Sequence, residues 1–234
     1  MSGSSSVKIK HLIDSLASCF GEIEWWPGNT DEVMIGAILT QQTRWENVER
    51  ALADLKKRGI CSLDTIVTAD IQNIEDAIRC TGFYRVKAQR LKLLALHIKE
   101  TYGGVDGMVD VSTQRLRTGL LNVSGIGEET ADCILCYGLL RTSYVIDAYT
   151  ERMIRCIGVT EKQQDLKRLF EACLPKDNYV YRQTHAHIVE YAKSTCAICP
   201  KRNIRKKVAN NVEYAKKFCG KKRCSECILV SSSG

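Results

Sequence analysis

Proline is scarce in this chain, with three in 234 residues, and aromatic residues make up only 7 %. So little proline against an apolar content of 44 % excludes a disordered, low-complexity chain and predicts a folded protein. No apolar run approaches the roughly 20 residues needed to cross a bilayer. The polar start Met1-Ser2-Gly3-Ser4-Ser5-Ser6 lacks the apolar core of a signal peptide. The expectation is a soluble intracellular protein of the cytoplasm and nucleoid, or of a nucleus, with no membrane partner. No segment shows convincing strand alternation, so the chain reads as all-α. Its length suits one sizeable domain or two small lobes sharing a core.

Acidic residues are nearly absent from one stretch. Between Lys193 and Arg223 stand eleven Lys/Arg against one acid, Glu213, so this stretch carries +10 of a net +7 and leaves −3 on the remainder. A basic tail on a near-neutral body suits a polyanion, whose phosphates it would neutralise with release of counterions; a solvated charge run has the same appearance. Cysteine, by contrast, is abundant, at twelve. In an intracellular setting these are not read as disulfides. Seven of them (Cys19, Cys61, Cys80, Cys133, Cys136, Cys156 and Cys173) lie scattered among apolar residues, as small buried hydrophobes do. Cys196, Cys199, Cys219, Cys224 and Cys227 cluster in the basic segment 196–234 and read as a metal site of structural role. Cys196/Cys199 and Cys224/Cys227 are two C-x2-C pairs of the kind that holds zinc.

Apolar spacing predicts a first helix over residues 8–20, with Leu12, Ile13, Leu16 and Phe20 on one face. A very apolar helix follows over 31–42. Another over 44–57 carries Trp45, Val48, Leu52 and Leu55, a stripe that makes Trp45 a core residue by spacing. A short helix near 70–80 leads to Thr81-Gly82-Phe83-Tyr84, a glycine turn opening a long helix buried through Leu91, Leu94, Ala95, Ile98 and Tyr102. Arg85 and Lys87 stand at its start, where basic side chains and unpaired N–H groups suit a phosphate. Trp25-Trp26-Pro27 falls on an irregular segment, so both rings can pack in the core or one can line a cavity.

The most informative stretch is Leu121-Asn122-Val123-Ser124-Gly125-Ile126-Gly127-Glu128-Glu129-Thr130-Ala131-Asp132. Ser112 caps an incoming helix, and a second is expected from Glu128 to about Leu140. The two form a hairpin over about 112–140, whose glycines let backbone N–H groups approach a ligand closely. A phosphodiester fits there without any reading of base sequence. Gly125, Gly127 and Thr130 are its contact candidates, and Ile126 is the apolar peg between the helices. Downstream, Asp147 follows Tyr144-Val145-Ile146 at the start of a helix through Met153 and Ile154. It reads as an N-cap. A cap holds the carboxylate fixed and ionised, so the same side chain is a candidate catalytic acid residue that stabilises an oxocarbenium-like sugar and orients water.

The hairpin followed by Val145-Ile146-Asp147 closely resembles the helix-hairpin-helix DNA glycosylases of the endonuclease III superfamily, over roughly residues 25–195. The resemblance implies a two-lobed all-α fold. A six-helix barrel would span 28–142, a second lobe would come from 1–27 plus 143–195, and the site would lie in the groove between. It implies a monomeric enzyme of base excision repair that flips a damaged nucleotide from double-stranded DNA, with Asp147 catalytic and Gln41 filling the gap left by the base. Bifunctional members carry an imine-forming lysine where this chain has Glu129, so the resemblance points to base release without strand cleavage. Trp25-Trp26-Pro27, Leu39-Thr40-Gln41-Gln42-Thr43, Gly82-Phe83-Tyr84 and Ala131-Asp132-Cys133-Ile134-Leu135-Cys136-Tyr137 look most like the 3-methyladenine DNA glycosylase III subgroup. There Trp25, Trp26, Pro27 and Trp45 would line the base pocket and attract a cationic alkylated purine. His187 stands where that subgroup has a pocket lysine, and it reads equally as a structural histidine. Uracil and mismatched-thymine glycosylases share the hairpin and the aspartate, and a hairpin module that only binds DNA is the non-enzymatic alternative. Relatives often end in a four-cysteine loop, which implies a [4Fe-4S] cluster on Cys196, Cys219, Cys224 and Cys227, with Cys199 as an alternative ligand.

Overall fold

The computed structural model describes residues 2–194. Eleven α-helices account for most of them: α1 Ser2–Cys19, α2 Thr30–Leu39, α3 Trp45–Lys57, α4 Leu63–Thr68, α5 Ile71–Ile78, α6 Tyr84–Tyr102, α7 Thr113–Leu121, α8 Glu128–Cys133, α9 Ala148–Cys156, α10 Gln163–Cys173 and α11 Asn178–Ser194. No strand occurs among the described residues, as the missing alternation predicts. The described residues divide into two compact units, Trp26–Ser143 and a second made of those before Trp26 together with those from Tyr144 on.

In the unit from Trp26 to Ser143, α2 is the centre. Every residue from Val33 to Leu39 is buried, because α3, α6, α8 and the segment after α8 all pack around it. A helix apolar on all sides has to be enclosed in this way. The surrounding helices are one-faced: α3 buries Val48, Ala51, Leu52 and Leu55, and α6 buries Leu91, Leu94, Ala95 and Ile98. Asn29 caps α2 by accepting from Glu32 N at 3.0 Å. Asp31 accepts from Leu63 N at 2.7 Å and ties the start of α4 to the start of α2. Helix α4 is too short to show a period and apolar spacing did not predict it; Ser62 and Thr65 close a capping box at its start.

The other unit packs α1 on α10 and α11, and α11 on α9. Its core includes Ile9, Leu12, Leu16, Leu166 and Phe170, with Tyr144 stacked on Phe170 at 4.5 Å between ring centroids.

Three boundaries differ from the periodic reading. Helix α1 starts at Ser2 rather than residue 8, since the serines preceding the apolar stripe continue the helix. Helix α2 ends at Leu39, and the expected extension to 42 is a turn with Gln42 in the left-handed region at φ 55°. The second hairpin helix changes after Cys133 into a π-helical segment, Ile134–Gly138, and Leu140 beyond it has φ 51°. Isolated π turns inside helices are frequent at functional sites.

Candidate active-site residues

The hairpin forms as its sequence predicts. Ser112 caps α7 by accepting from Arg115 N at 3.4 Å, the turn follows, and α8 begins at Glu128. Its two glycines differ in purpose. Gly125 has φ +87°, and a Cβ there would meet the Arg90 side chain at 2.4 Å, so the fold itself demands glycine. Gly127 is extended (φ −92°, ψ −179°), and a Cβ there would meet nothing within 4 Å. Its missing side chain relieves no internal clash and leaves open space at the backbone, as close approach by a ligand requires. Ile126 is buried and serves as the peg. Glu129 is exposed. Arg117 on α7 and Asp132 on α8 lock the helices together through two bonds of 2.9 and 3.0 Å to the carboxylate, which also accepts from Ser143 Oγ at 2.7 Å.

Asp147 lies in the other unit, at the start of α9. The chain leading to it, Tyr144–Ile146, is buried and held by α10. Tyr144 N donates to Glu171 at 3.0 Å, Lys167 Nζ to Tyr144 O at 2.8 Å and Gln163 Nε2 to Ile146 O at 3.2 Å. The two carboxylate oxygens of Asp147 have separate partners. Oδ1 accepts from Thr150 N at 2.7 Å and Thr150 Oγ1 at 2.8 Å, which is the predicted cap. Oδ2 faces His185 Nε2 at 3.6 Å. Burial works against the charged form, but His185 and then the Thr150 bonds outweigh it and hold the carboxyl below its ordinary value. His185 is a partner that periodicity did not single out. The His185-Ala186-His187 triplet was visible, but which ring meets Asp147 depends on how α11 packs on α9.

The tandem tryptophans straddle the boundary between the units. Trp26 has φ 63°, and its indole lies on α2 at Gly36, where a Cβ would stand 3.1 Å from Nε1. It meets Trp45 edge to face at 5.5 Å and Tyr137, from the π segment, at 5.6 Å. Trp45 is only half-buried, so the spacing that made it a core residue is corrected: it stands at the first turn of α3, at the rim of the packed stripe. Trp25, in the other unit, has Lys193 Nζ 4.3 Å from its ring centroid. The loop before it is pinned to α11 by Gln183, whose amide donates to Ile23 O at 2.9 Å and accepts from Ile23 N at 3.0 Å. The indole nitrogens of Trp25 and Trp26 are buried without a hydrogen-bond partner. Pro27 is exposed.

Compared with known proteins, the chain matches the HhH-GPD superfamily base excision DNA repair protein family over residues 35–177. It belongs to this family. It is a DNA N-glycosylase. A provisionally named DNA repair glycosylase of Methanocaldococcus jannaschii is 44 % identical over 193 residues, covering 79 % of this chain and 88 % of that protein. Endonuclease III of Sulfolobus acidocaldarius is 27 % identical, over 76 % of this chain and 80 % of the relative. Among solved structures, the 3-methyladenine DNA glycosylase of H. pylori bound to 1,N6-ethenoadenine superposes with a TM-score of 0.70. It is 28 % identical and covers 80 % of this chain and 97 % of that one. An endonuclease III–DNA complex, at 20 % identity and TM-score 0.67, shares the fold.

Several of the expected contacts of this glycosylase are placed differently from the sequence reading. Lys87 does not reach solvent to meet a phosphate. It is 1 % exposed, because its position on α6 faces the core side, and Nζ donates to Leu39 O and Thr81 O, both at 2.9 Å, and to Thr43 Oγ1. Arg85, two residues earlier, is on the surface, 3.7 Å from Glu75. Gln41 is held by the hairpin: Nε2 donates to Gly125 O and Thr130 Oγ1, both at 3.1 Å, and Oε1 accepts from Arg90. Thr130 is correspondingly buried. The neighbouring Gln42 is exposed, and so is Phe83, a left-handed residue (φ 47°) that is 68 % exposed. Both line one concavity with Gln41, Val86, Lys87 and Arg90. Sequence reasoning passed over Phe83; its position directly after Gly82 in a glycine turn was the available signal. His187 is buried, donates from Nε2 to Gly21 O at 2.9 Å and stacks on Phe20 at 5.8 Å. Both contacts hold the ring to the segment between α1 and α2. Cys196, Cys199, Cys219, Cys224 and Cys227 lie outside the described residues.

Proposed function

We propose that this glycosylase is monofunctional and removes alkylated purines, chiefly 3-methyladenine, from double-stranded DNA by hydrolysis, without AP lyase activity. The observation that carries the reading is Asp147: a fixed, ionised carboxylate with one oxygen saturated by the helix cap and the other turned away from it. As the base departs, charge develops on the sugar, and a carboxylate already in place stabilises it without reorganising. The second oxygen is free of the cap and so is the one that orients the attacking water. No amine follows the hairpin to form an imine: the position is Glu129, whose carboxylate cannot.

Substrate choice rests on the aromatics. Trp26 and Trp45, joined edge to face, with Trp25 and Pro27 preceding, supply π surface to a cationic purine, whose glycosidic bond is already weak. The H. pylori relative, a 3-methyladenine glycosylase, supports the same class. The hairpin at Gly125–Gly127 holds the DNA backbone, Arg85 adds a surface cation, and Gln42 and Phe83 enter the duplex from which the nucleotide is extruded. Gln42 takes the role first expected of Gln41, because Gln41 is tied to the hairpin. In the basic segment, Cys196, Cys219, Cys224 and Cys227 would hold a [4Fe-4S] cluster, or Cys196, Cys199, Cys224 and Cys227 a zinc ion. Either would fold that segment and supply no step of the hydrolysis.

Duplexes carrying 3-methyladenine, 7-methylguanine, uracil or a G·T mismatch, assayed separately for base release and strand cleavage, test this reading. Release of the methylated purines with intact strands is expected. Excision of uracil or thymine alone would assign the pyrimidine class, and strand cleavage without added base or heat would refute the conclusion drawn from Glu129.

A further inference from the structure

We propose that Lys87 is a positioning residue of the glycosylase: its buried ammonium ties the Leu39–Thr43 turn to the Thr81–Phe83 loop and thereby sets the spacing of Gln42 and Phe83 as they enter the duplex. The proposal rests on the reading that these two residues face DNA. Three observations converge on it. The ammonium takes neutral oxygens from both segments, Leu39 O on one side, Thr81 O on the other, and Thr43 Oγ1 between them. Thr43 Oγ1 itself donates to Thr81 O, closing a knot of four groups.

The two loops, meanwhile, each carry one left-handed residue that their own turn hydrogen bonds do not involve. Gln42 and Phe83 both have positive φ, at 55° and 47°, and Phe83 precedes α6 without a side-chain cap. Non-glycine residues keep such conformations only where the surroundings over-determine them. The surroundings are Lys87 and, one helical turn on, Arg90, which bonds Gln41 and through it reaches Gly125 and Thr130 of the hairpin.

Finally, the charge is not there for stability. An ammonium buried among neutral oxygens, with no carboxylate partner among the described residues, is costly, and well-packed apolar residues commonly replace buried ions without loss. Burial is the main reason its pKa is drawn down to about 8. What an apolar side chain cannot supply is three directed donors that fix two loops at once.

A duplex with a tetrahydrofuran abasic analogue and 2-aminopurine as the opposing base reads this step without any excision. The fluorescence rise reports unstacking. Lys87→Met keeps the apolar stem and removes the donors. It is expected to bind unmodified duplex within about twofold of wild type, while the fluorescence rise and the single-turnover rate of base release fall by on the order of tenfold. A wild-type fluorescence rise in folded Lys87→Met overturns the proposal, as does a parallel loss of binding to unmodified duplex. If Lys87→Met fails to fold, Thr43→Val removes one acceptor and leaves both carbonyls. A fluorescence rise lowered about threefold at unchanged Tm then supports the role, and an unchanged rise overturns it. Absence of any rise with the wild-type enzyme would instead refute the placement of Gln42 and Phe83 in DNA, and the role of Lys87 with it.

Discussion

Asp147 and His185 face each other across 3.6 Å inside the unit built from both chain ends, with Oδ2 of the carboxylate toward Nε2 of the ring. The other oxygen, Oδ1, is occupied by the backbone and hydroxyl of Thr150. One side chain therefore caps a helix and presents a carboxylate oxygen at the same time, and each role stabilises the other. The cap removes the rotational freedom of the carboxylate, and the imidazole offsets the burial that would otherwise neutralise it.

Asp147→Asn retains the cap, because its amide oxygen still accepts from Thr150, but loses the negative charge. Base release measured in single turnover is expected to fall by roughly 10²–10³-fold, with binding to an abasic-analogue duplex retained. Undiminished release would remove Asp147 from the chemistry.

The pH dependence follows from the same geometry. The folded value of Asp147 is held below the ordinary carboxylate range, so the stability it contributes is present above the unfolded value and is lost as pH falls through the folded one. Base release is expected to stay flat in Asp147 ionisation through the neutral range, and its acid limb to lie below that of a free aspartate. In His185→Gln the largest lowering influence is gone, so the limb moves to higher pH. Identical acid limbs in the two proteins, in rate profiles measured on one duplex, would show that the histidine does not tune the acid.

The two hairpin glycines should respond differently to alanine. Gly125→Ala meets Arg90 and an unfavourable φ, so thermal unfolding should show a loss of at least about 1–2 kcal/mol. Gly127→Ala has space and an ordinary φ, and should change stability by less than about 1 kcal/mol while weakening duplex binding. Equal binding by Gly127→Ala and wild type would mean that no backbone approaches there.

Asp132→Ala removes the two-bond carboxylate partner of Arg117 between α7 and α8 and leaves Glu128 4.0 Å from the guanidinium. Breaking a largely buried charge pair typically costs up to about 3–5 kcal/mol, so a clear drop in Tm is expected. A shift no greater than that of a surface ion pair, under about 1 kcal/mol, would show that solvent takes the place of the acid.

For the terminal cysteines, a broad absorption band near 400 nm, lost on cluster removal, is expected for the iron-sulfur reading. Stoichiometric zinc without the band would select the two C-x2-C pairs instead.

Much of this molecule was legible along the chain. Helix starts are written in i to i+3 relationships, and so the Ser112 and Asp147 caps could be read from neighbouring residues alone. The glycine turn and the all-α pattern are local for the same reason. What only the tertiary structure decided is the allocation of near neighbours to opposite fates. Lys87 is enclosed while Arg85 is exposed, Gln41 is bound to the hairpin while Gln42 is open, and His185 meets Asp147 while His187 meets Gly21 O. Each pair shares one helix or turn and has similar chemistry, so propensity and period cannot separate its members. They are separated by which face a helix turns to a partner distant in sequence, and that is set by how whole helices pack.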